Sequence, residues 1–227
     1  MRHLTILGVL VAALAVPALG SAAHKPGHGN APQSGNPTIA VNPEPVVFNS
    51  FTTVRGSIKG NQVANERVEL EELPFPFTGM QWRPVSAVNT DSKGNYRFSV
   101  RPRQNVRYRV RWRDAVSSEA FVRVRILVGR RVSDPTPRAG QLVRFFSSTV
   151  APAHDGQRVY VQKRTSTGRW ATVARTSLRD AGPSRPGFSA YSVRVRVPSD
   201  GVYRVRVQGD ADHAWGTSNL RRLLVSR

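Results

Sequence analysis

The sequence predicts an all-β protein of two tandem antiparallel β-sandwiches. Three observations lead there. Apolar and charged residues alternate with a period of two, as in Val106, Tyr108, Val110 and Trp112 against Arg107, Arg109, Arg111 and Arg113. Turn signals such as Asp91-Ser92-Lys93-Gly94-Asn95 and Pro198-Ser199-Asp200-Gly201 punctuate the runs. Three landmarks also recur in order roughly ninety residues later, the spacing of a duplicated unit with loop changes. They are Arg67-Val68-Glu69-Leu70 with Arg158-Val159-Tyr160-Val161, Gln81-Trp82 with Arg169-Trp170, and Tyr108-Arg109-Val110 with Tyr203-Arg204-Val205. Strict alternation puts one apolar face inward and one charged face in water. No window after the N-terminal apolar run carries a helical stripe.

Met1-Arg2-His3 followed by the apolar run Leu4–Leu19 and the small residues Gly20-Ser21-Ala22-Ala23 reads as a signal peptide over 1–23. Cleavage after Ala23 fits the small −3 and −1 positions, and cleavage after Gly20 or Ala22 fits nearly as well. The run is shorter than the ~20 residues that span a bilayer. No second apolar span follows it, so the mature chain is expected to be no integral membrane protein. Residues 24–36 are Gly, Pro, Asn and His without periodicity, a flexible leader in which His24 and His28 are solvated.

The first unit, 37–126, is expected to hold strands near 38–41, 51–58, 67–72, 83–90, 95–101, 105–112 and 119–126. The second, 127–227, holds them near 127–132, 141–150, 157–164, 170–177, 189–197, 202–208 and 219–225. Seven short antiparallel strands in ~100 residues is the count of an immunoglobulin-type sandwich. The chain has no cysteine, which excludes a disulfide framework, thiolate metal sites and a cysteine nucleophile.

Asp-Gly-Val-Tyr-Arg-Val at 200–205 and Asn-Val-Arg-Tyr-Arg-Val at 105–110 resemble the sixth strand of bacterial Ig-like and fibronectin-III-like repeats. Thr-Asp-Ser-Lys-Gly-Asn-Tyr-Arg-Phe at 90–98 resembles their fifth strand and its turn. The resemblance covers about 37–227. It implies secreted or surface modules for adhesion, spacing, or carbohydrate and partner binding, in which the hydroxyl of the sixth-strand Tyr ties back to the preceding loop. The intersheet Cys pair of antibody domains is absent, and an extra apolar stretch interrupts the first unit.

Catalysis requires a nucleophile or acid–base pair in a defined pocket. The folded body contains only His154 and His213 as imidazoles, and no hydrolase, zinc-protease or phosphate-loop motif. The expectation is a non-enzyme without cofactor. Glu69 and Glu71 share a strand face with Arg67 opposite Arg109 and Arg111, the arrangement of cross-strand ion pairs.

Three features are candidate sites. The loops holding His154-Asp155 and Asp210-Ala211-Asp212-His213 emerge at one end of the second sandwich. His154, Asp155, Asp210, Asp212 and His213 are thus weak metal candidates, carboxylates suiting Ca²⁺ and imidazoles a transition metal. Turn-making Asp, with His packed on Trp215 or bonded to a carbonyl, is the plainer account of them. No metal is assigned from sequence alone.

The second feature is charge. Lys and Arg number 34 against 14 acids, a net +20, with 30 Arg and 4 Lys. Residues 37–126 carry 14 basic and 8 acidic groups, and 127–227 carry 18 and 6. Arg158, Arg204 and Arg206 are expected to face outward together, with Tyr160 as the one aromatic beside them. Such a face attracts wall phosphate polymers, anionic lipid or nucleic acid without reading a base sequence. The third feature is the apolar segment 73–82, where Phe75, Phe77, Met80 and Trp82 offer a partner surface or fold over their own sheet. The expected function is an exported binding or spacer module, extracellular or loosely attached to the cell envelope, with an unidentified partner there. The alternative is a polyanion binder acting through the arginine face.

Overall fold

The computed structural model describes residues 35–79 and 81–226, which belong to one compact unit, 32–227. The expected signal peptide and the leader as far as residue 34 lie outside the described residues. Gly35 is already bridged to Lys59.

Among the described residues the fold is all-β, compatible with a β-sandwich arrangement. It begins with β1 (Ala40–Asn42), β2 (Val46–Val47), β3 (Thr52–Ser57), β4 (Arg67–Pro74) and β5 (Arg83–Asn89). There follow β6 (Asn95–Val100), β7 (Val106–Trp112), β8 (Ala115–Val116), β9 (Ala120–Val122) and β10 (Val124–Arg125). Next come β11 (Leu127–Val128), β12 (Arg131–Val132), β13 (Gln141–Ala151), β14 (Arg158–Arg164) and β15 (Trp170–Ser177). The chain closes with β16 (Arg179–Asp180), β17 (Ser189–Val197), β18 (Gly201–Val207), β19 (Gly216–Thr217) and β20 (Arg221–Leu223). No helix among the described residues is long and apolar enough to cross a membrane.

One antiparallel sheet runs β1-β3-β6 and faces another of order β5-β4-β7, with β8 and β9 also on β7. Val54 and Phe98 from the first sheet and Val68, Leu70, Tyr108 and Val110 from the second meet in one hydrophobic cluster. Farther along, β11-β13-β17-β16 faces β15-β14-β18, with β12 on β13 and both β19 and β20 against β18. Val143, Phe145 and Tyr191 pack there against Val159, Val161, Tyr203 and Val205. The alternation dictates this: every second residue of β7 and β18 is buried, while the intervening arginines are not.

The expected strand at 119–126 is divided. Val122 and Val124 are both fully buried, but β9 pairs with β7 while β10 runs parallel to β2. The chain changes partner at Arg123, whose guanidinium and backbone amide both donate to Glu44. Residues 127–132 also divide, because β11 pairs with Val150 and Ala151 at the end of β13 and β12 with Phe145 and Phe146 at its middle. Between them Gly129 lies so close to Thr149 that a Cβ would collide with its hydroxyl. The two-residue strands are too short to establish a period, so alternation did not reveal them.

Only Arg125 separates Val124, in the first cluster, from Ile126, in the second. Here the Ala214 amide donates to Val124 O at 2.8 Å and the Ile126 amide to Ala214 O at 3.1 Å. Asn105 adds a side-chain tie, its Nδ2 donating to Ala211 O at 3.0 Å while its Oδ1 accepts from the Val124 amide at 2.9 Å.

The tyrosines depart from the pattern the resemblance implied. Tyr203 Oη is buried without a hydrogen-bond partner among the described residues. It is Tyr191, on β17, that donates to Gly129 O at 2.9 Å, and Tyr96, on β6, that donates to Thr38 O.

Candidate functional site

Two loops of the second half meet where that half abuts the first. The segment between β13 and β14 supplies His154, and the segment between β18 and β19 supplies Asp210, Asp212 and His213. Asx-type bonding shapes the second loop: the His213 amide donates to Asp210 Oδ1 at 3.0 Å and the Asp210 amide to His213 O at 2.9 Å. Gly209 is required by this closure, since a Cβ there would collide with the His213 carbonyl.

One ligand-capable atom from each of His154, Asp210, Asp212 and His213 lies within 4.8 Å of the others. His154 Nε2 stands 3.2 Å from Asp210 Oδ2 and 3.9 Å from Asp212 Oδ1. His213 Nδ1 stands 3.0 Å from Asp212 Oδ1, without the alignment of a hydrogen bond. The imidazoles meet edge to face at 4.8 Å, and Phe48 closes on His213 from the first half at 6.0 Å. Trp215 stacks instead on Tyr160. Both rings are nearly inaccessible, whereas the carboxylates are about one-third exposed, at 31% and 38%. Burial raises the Asp210 pKa, and the neighbouring Asp212 carboxyl raises it further. Burial also opposes ionisation of Asp212, but Asp210 and the two imidazoles beside it hold it below the ordinary value. Asp155, the fifth candidate, lines the same cleft but is outside the cluster: its Oδ1 accepts from Ser189 Oγ, which in turn accepts from the His154 amide.

The four groups line a cleft of ≈ 560 Å³ between the halves. Phe48, Arg103 and Gln104 form its first-half wall. Residue-type reasoning brought the loops together but missed Arg103 and Asn105, which act here largely through backbone and amide groups.

The arginine candidates lie on the outer face of the sheet containing β14, β15 and β18. Arg158 is exposed, and Arg204 and Arg206 are partly covered. Arg204 lies 4.1 Å over the Trp170 ring and donates to Gln162 Oε1 at 2.9 Å. Arg206 lies 4.6 Å over Trp215, which stacks on Tyr160 at 5.8 Å. Three aromatics thus share this face rather than Tyr160 alone. Trp215 arrives because β19 folds back to pair Thr217 with Arg206. Burial, and then the charge of Arg206, lower the pKa of Arg204.

In the first half six arginines have carboxylate partners among the described residues. Glu71 accepts from Arg109 Nε at 2.6 Å and Arg111 Nε at 3.1 Å. Glu66 accepts from Trp112 and Arg113, Glu72 pairs with Arg83, Glu119 with Arg107, and Glu44 with Arg123. Every arginine–carboxylate pair among the described residues lies between positions 44 and 123.

The 73–82 segment lies against its own sheet. Phe77 packs edge-on to Phe75 at 5.6 Å and to Phe121 of β9 at 5.8 Å, beneath Arg107 at 5.0 Å. Trp82 lies under Arg109 at 4.3 Å. Met80 lies outside the described residues. In comparison with known proteins, no family pattern matches the chain and no curated protein matches it. What fold and site define is therefore an all-β protein with an arginine–aromatic face and a His/Asp cleft.

Proposed function

We propose that the protein is an exported, non-catalytic pair of tandem Ig-like sandwiches, 37–126 and 127–227, that binds and spaces at or outside the cell envelope. The observation that carries this reading is the recurrence of internal detail at matched positions. Arg109 over Trp82 has its counterpart in Arg204 over Trp170. The Val110 amide donates to Ser117 Oγ at 2.9 Å, which donates to the next carbonyl; the Val205 amide and Ser218 Oγ do the same. Strand order β5-β4-β7 corresponds to β15-β14-β18. Two like units joined through one residue make a stiff spacer with loops exposed at defined places. Expression of the full chain in a bacterial host, with fractionation and N-terminal sequencing, tests the reading. A mature protein starting at His24 outside the cytoplasm is expected; an uncleaved cytoplasmic one overturns export.

One observation favours the polyanion reading as a second. Under the alignment of Arg67 with Arg158, Glu69, Glu71 and Glu72 correspond to Tyr160, Gln162 and Lys163. The carboxylate that neutralises Arg109 and Arg111 is thereby replaced by a neutral amide under Arg204. Neighbouring guanidiniums without counter-charge attract anions and release counterions on binding. Arg204→Glu with Arg206→Glu is expected to lower the salt needed to elute the chain from heparin resin. Gln162→Glu, which restores the acid, is expected to lower it less. Unchanged elution in both variants rejects this face as the site.

A further inference from the structure

We propose that the cleft holds a zinc-class divalent transition-metal ion, bound by His154 Nε2, His213 Nδ1, Asp210 and Asp212, and that this ion fastens the joint between the two halves. The case rests on which nitrogen of each ring carries its proton. His154 Nδ1 lies 2.8 Å from Pro152 O, and His213 Nε2 lies 2.7 Å from Arg103 O. A backbone carbonyl accepts and never donates, so each of those nitrogens carries N–H. In the neutral rings His154 Nε2 and His213 Nδ1 are then lone-pair acceptors, and both face carboxylate oxygens, also acceptors, 3.0–3.2 Å away. Acceptor against acceptor is repulsive unless a proton or a metal ion stands between them. His213 Nδ1 is buried with no hydrogen-bond partner, and His213 is 4% exposed.

The second shell is already in place. Metal-bound imidazoles typically give their other N–H to a carbonyl or carboxylate, which fixes tautomer and ring orientation. Bonds of about 2.0–2.1 Å to nitrogen and oxygen put tetrahedral ligand atoms roughly 3.3 Å apart. The observed 3.0, 3.2 and 3.9 Å separations bracket that value, and the widest, within 4.8 Å, requires the open carboxylates to close in. Two imidazoles among four ligands select first-row transition metals over Ca²⁺ or Mg²⁺, which take oxygen cages.

The ion would join the loop after β13 to the loop after β18. The latter is tied to the first half through Arg103 O, through the Asn105 side chain and through the Asn105 amide, which donates to Asp212 O at 2.8 Å. Fixing Asp212 and His213 thus fixes 103–105.

The test is competition of the untagged full chain with a chromogenic chelator for Zn²⁺, in parallel with thermal unfolding. One equivalent is expected to bind, raising the midpoint by roughly 5–10 °C at a hundredfold excess over Kd. Asp212→Asn and Asp210→Asn, at partly exposed positions that keep shape, are expected to weaken binding on the order of tenfold or more. His24→Ala with His28→Ala is expected to leave it unchanged. Zn²⁺ is also expected to slow hydrogen exchange at the Asn105 amide. Absence of stoichiometric binding, persistence in both Asp variants, loss in the His24/His28 variant, or an equal response to Ca²⁺ overturns the site. Binding without slower exchange at Asn105 overturns the fastening of the joint.

Discussion

Two tyrosines, both about 1% exposed, separate two consequences of burying a hydroxyl. Tyr191 reaches Gly129 O, whereas Tyr203 finds no partner while its ring packs on Phe145 at 5.5 Å. A paired buried hydroxyl contributes about 1 kcal/mol, and an unpaired one costs about 1–3 kcal/mol of lost hydration. Tyr191→Phe is therefore expected to lower stability by about 1 kcal/mol. Tyr203→Phe is expected to leave it unchanged or raise it. Denaturant midpoints of the two variants check both signs, and equal losses contradict the assignment. Burial of the Tyr at each position was legible from the alternation. The direction its hydroxyl takes was not, because it depends on the chain crossing above it: residue 38 over Tyr96 and residue 129 over Tyr191.

The strands differ most in what balances their arginines. Burial alone would raise the pKa of Glu71, but hydrogen bonds from Arg111 and Arg109 hold it below the ordinary carboxylate value. Arg123 likewise lowers Glu44, and Trp112 followed by Arg113 lowers Glu66. A depressed folded pKa contributes stability that is present above the unfolded value and is lost as pH falls through the folded one. The first half is accordingly expected to lose stability below about pH 4. Unfolding free energy followed by Trp82 and Trp112 fluorescence, in a chain carrying Trp170→Phe and Trp215→Phe, is expected to be lower at about pH 3 than at about pH 6. Glu71→Gln is expected to cost about 2 kcal/mol, since it leaves two partly covered guanidiniums short of an acceptor. Of these, only the Glu71 pairs were readable from sequence, because period two and antiparallel register put Glu71 opposite Arg109; Glu69, expected to pair on the same face, has no ion pair among the described residues. The arginine–aromatic face was readable only in part. Trp215 follows a loop without period, and its stacking on Tyr160 depends on β19 returning to β18.

At the scale of the whole molecule, the joint between the two clusters decides how they unfold. Asn105, 7% exposed, uses its amide oxygen on Val124 and its NH2 on Ala211, so one side chain serves both halves. Asn105→Ala is expected to cost about 1–3 kcal/mol through the unsatisfied Val124 amide. It is also expected to split one calorimetric transition into two. A single transition retained at lower temperature assigns Asn105 to the first half alone. The His/Asp cleft lies at the same joint and was half legible for that reason. Fold-level topology brought two loops to one end, but the first-half wall is a carbonyl at Arg103 that no search by residue type detects. The single residue between the clusters has a mechanical consequence. Tension along the chain passes from one core into the other with no slack to take up, so the pair transmits a pull as a rod does and a tether does not.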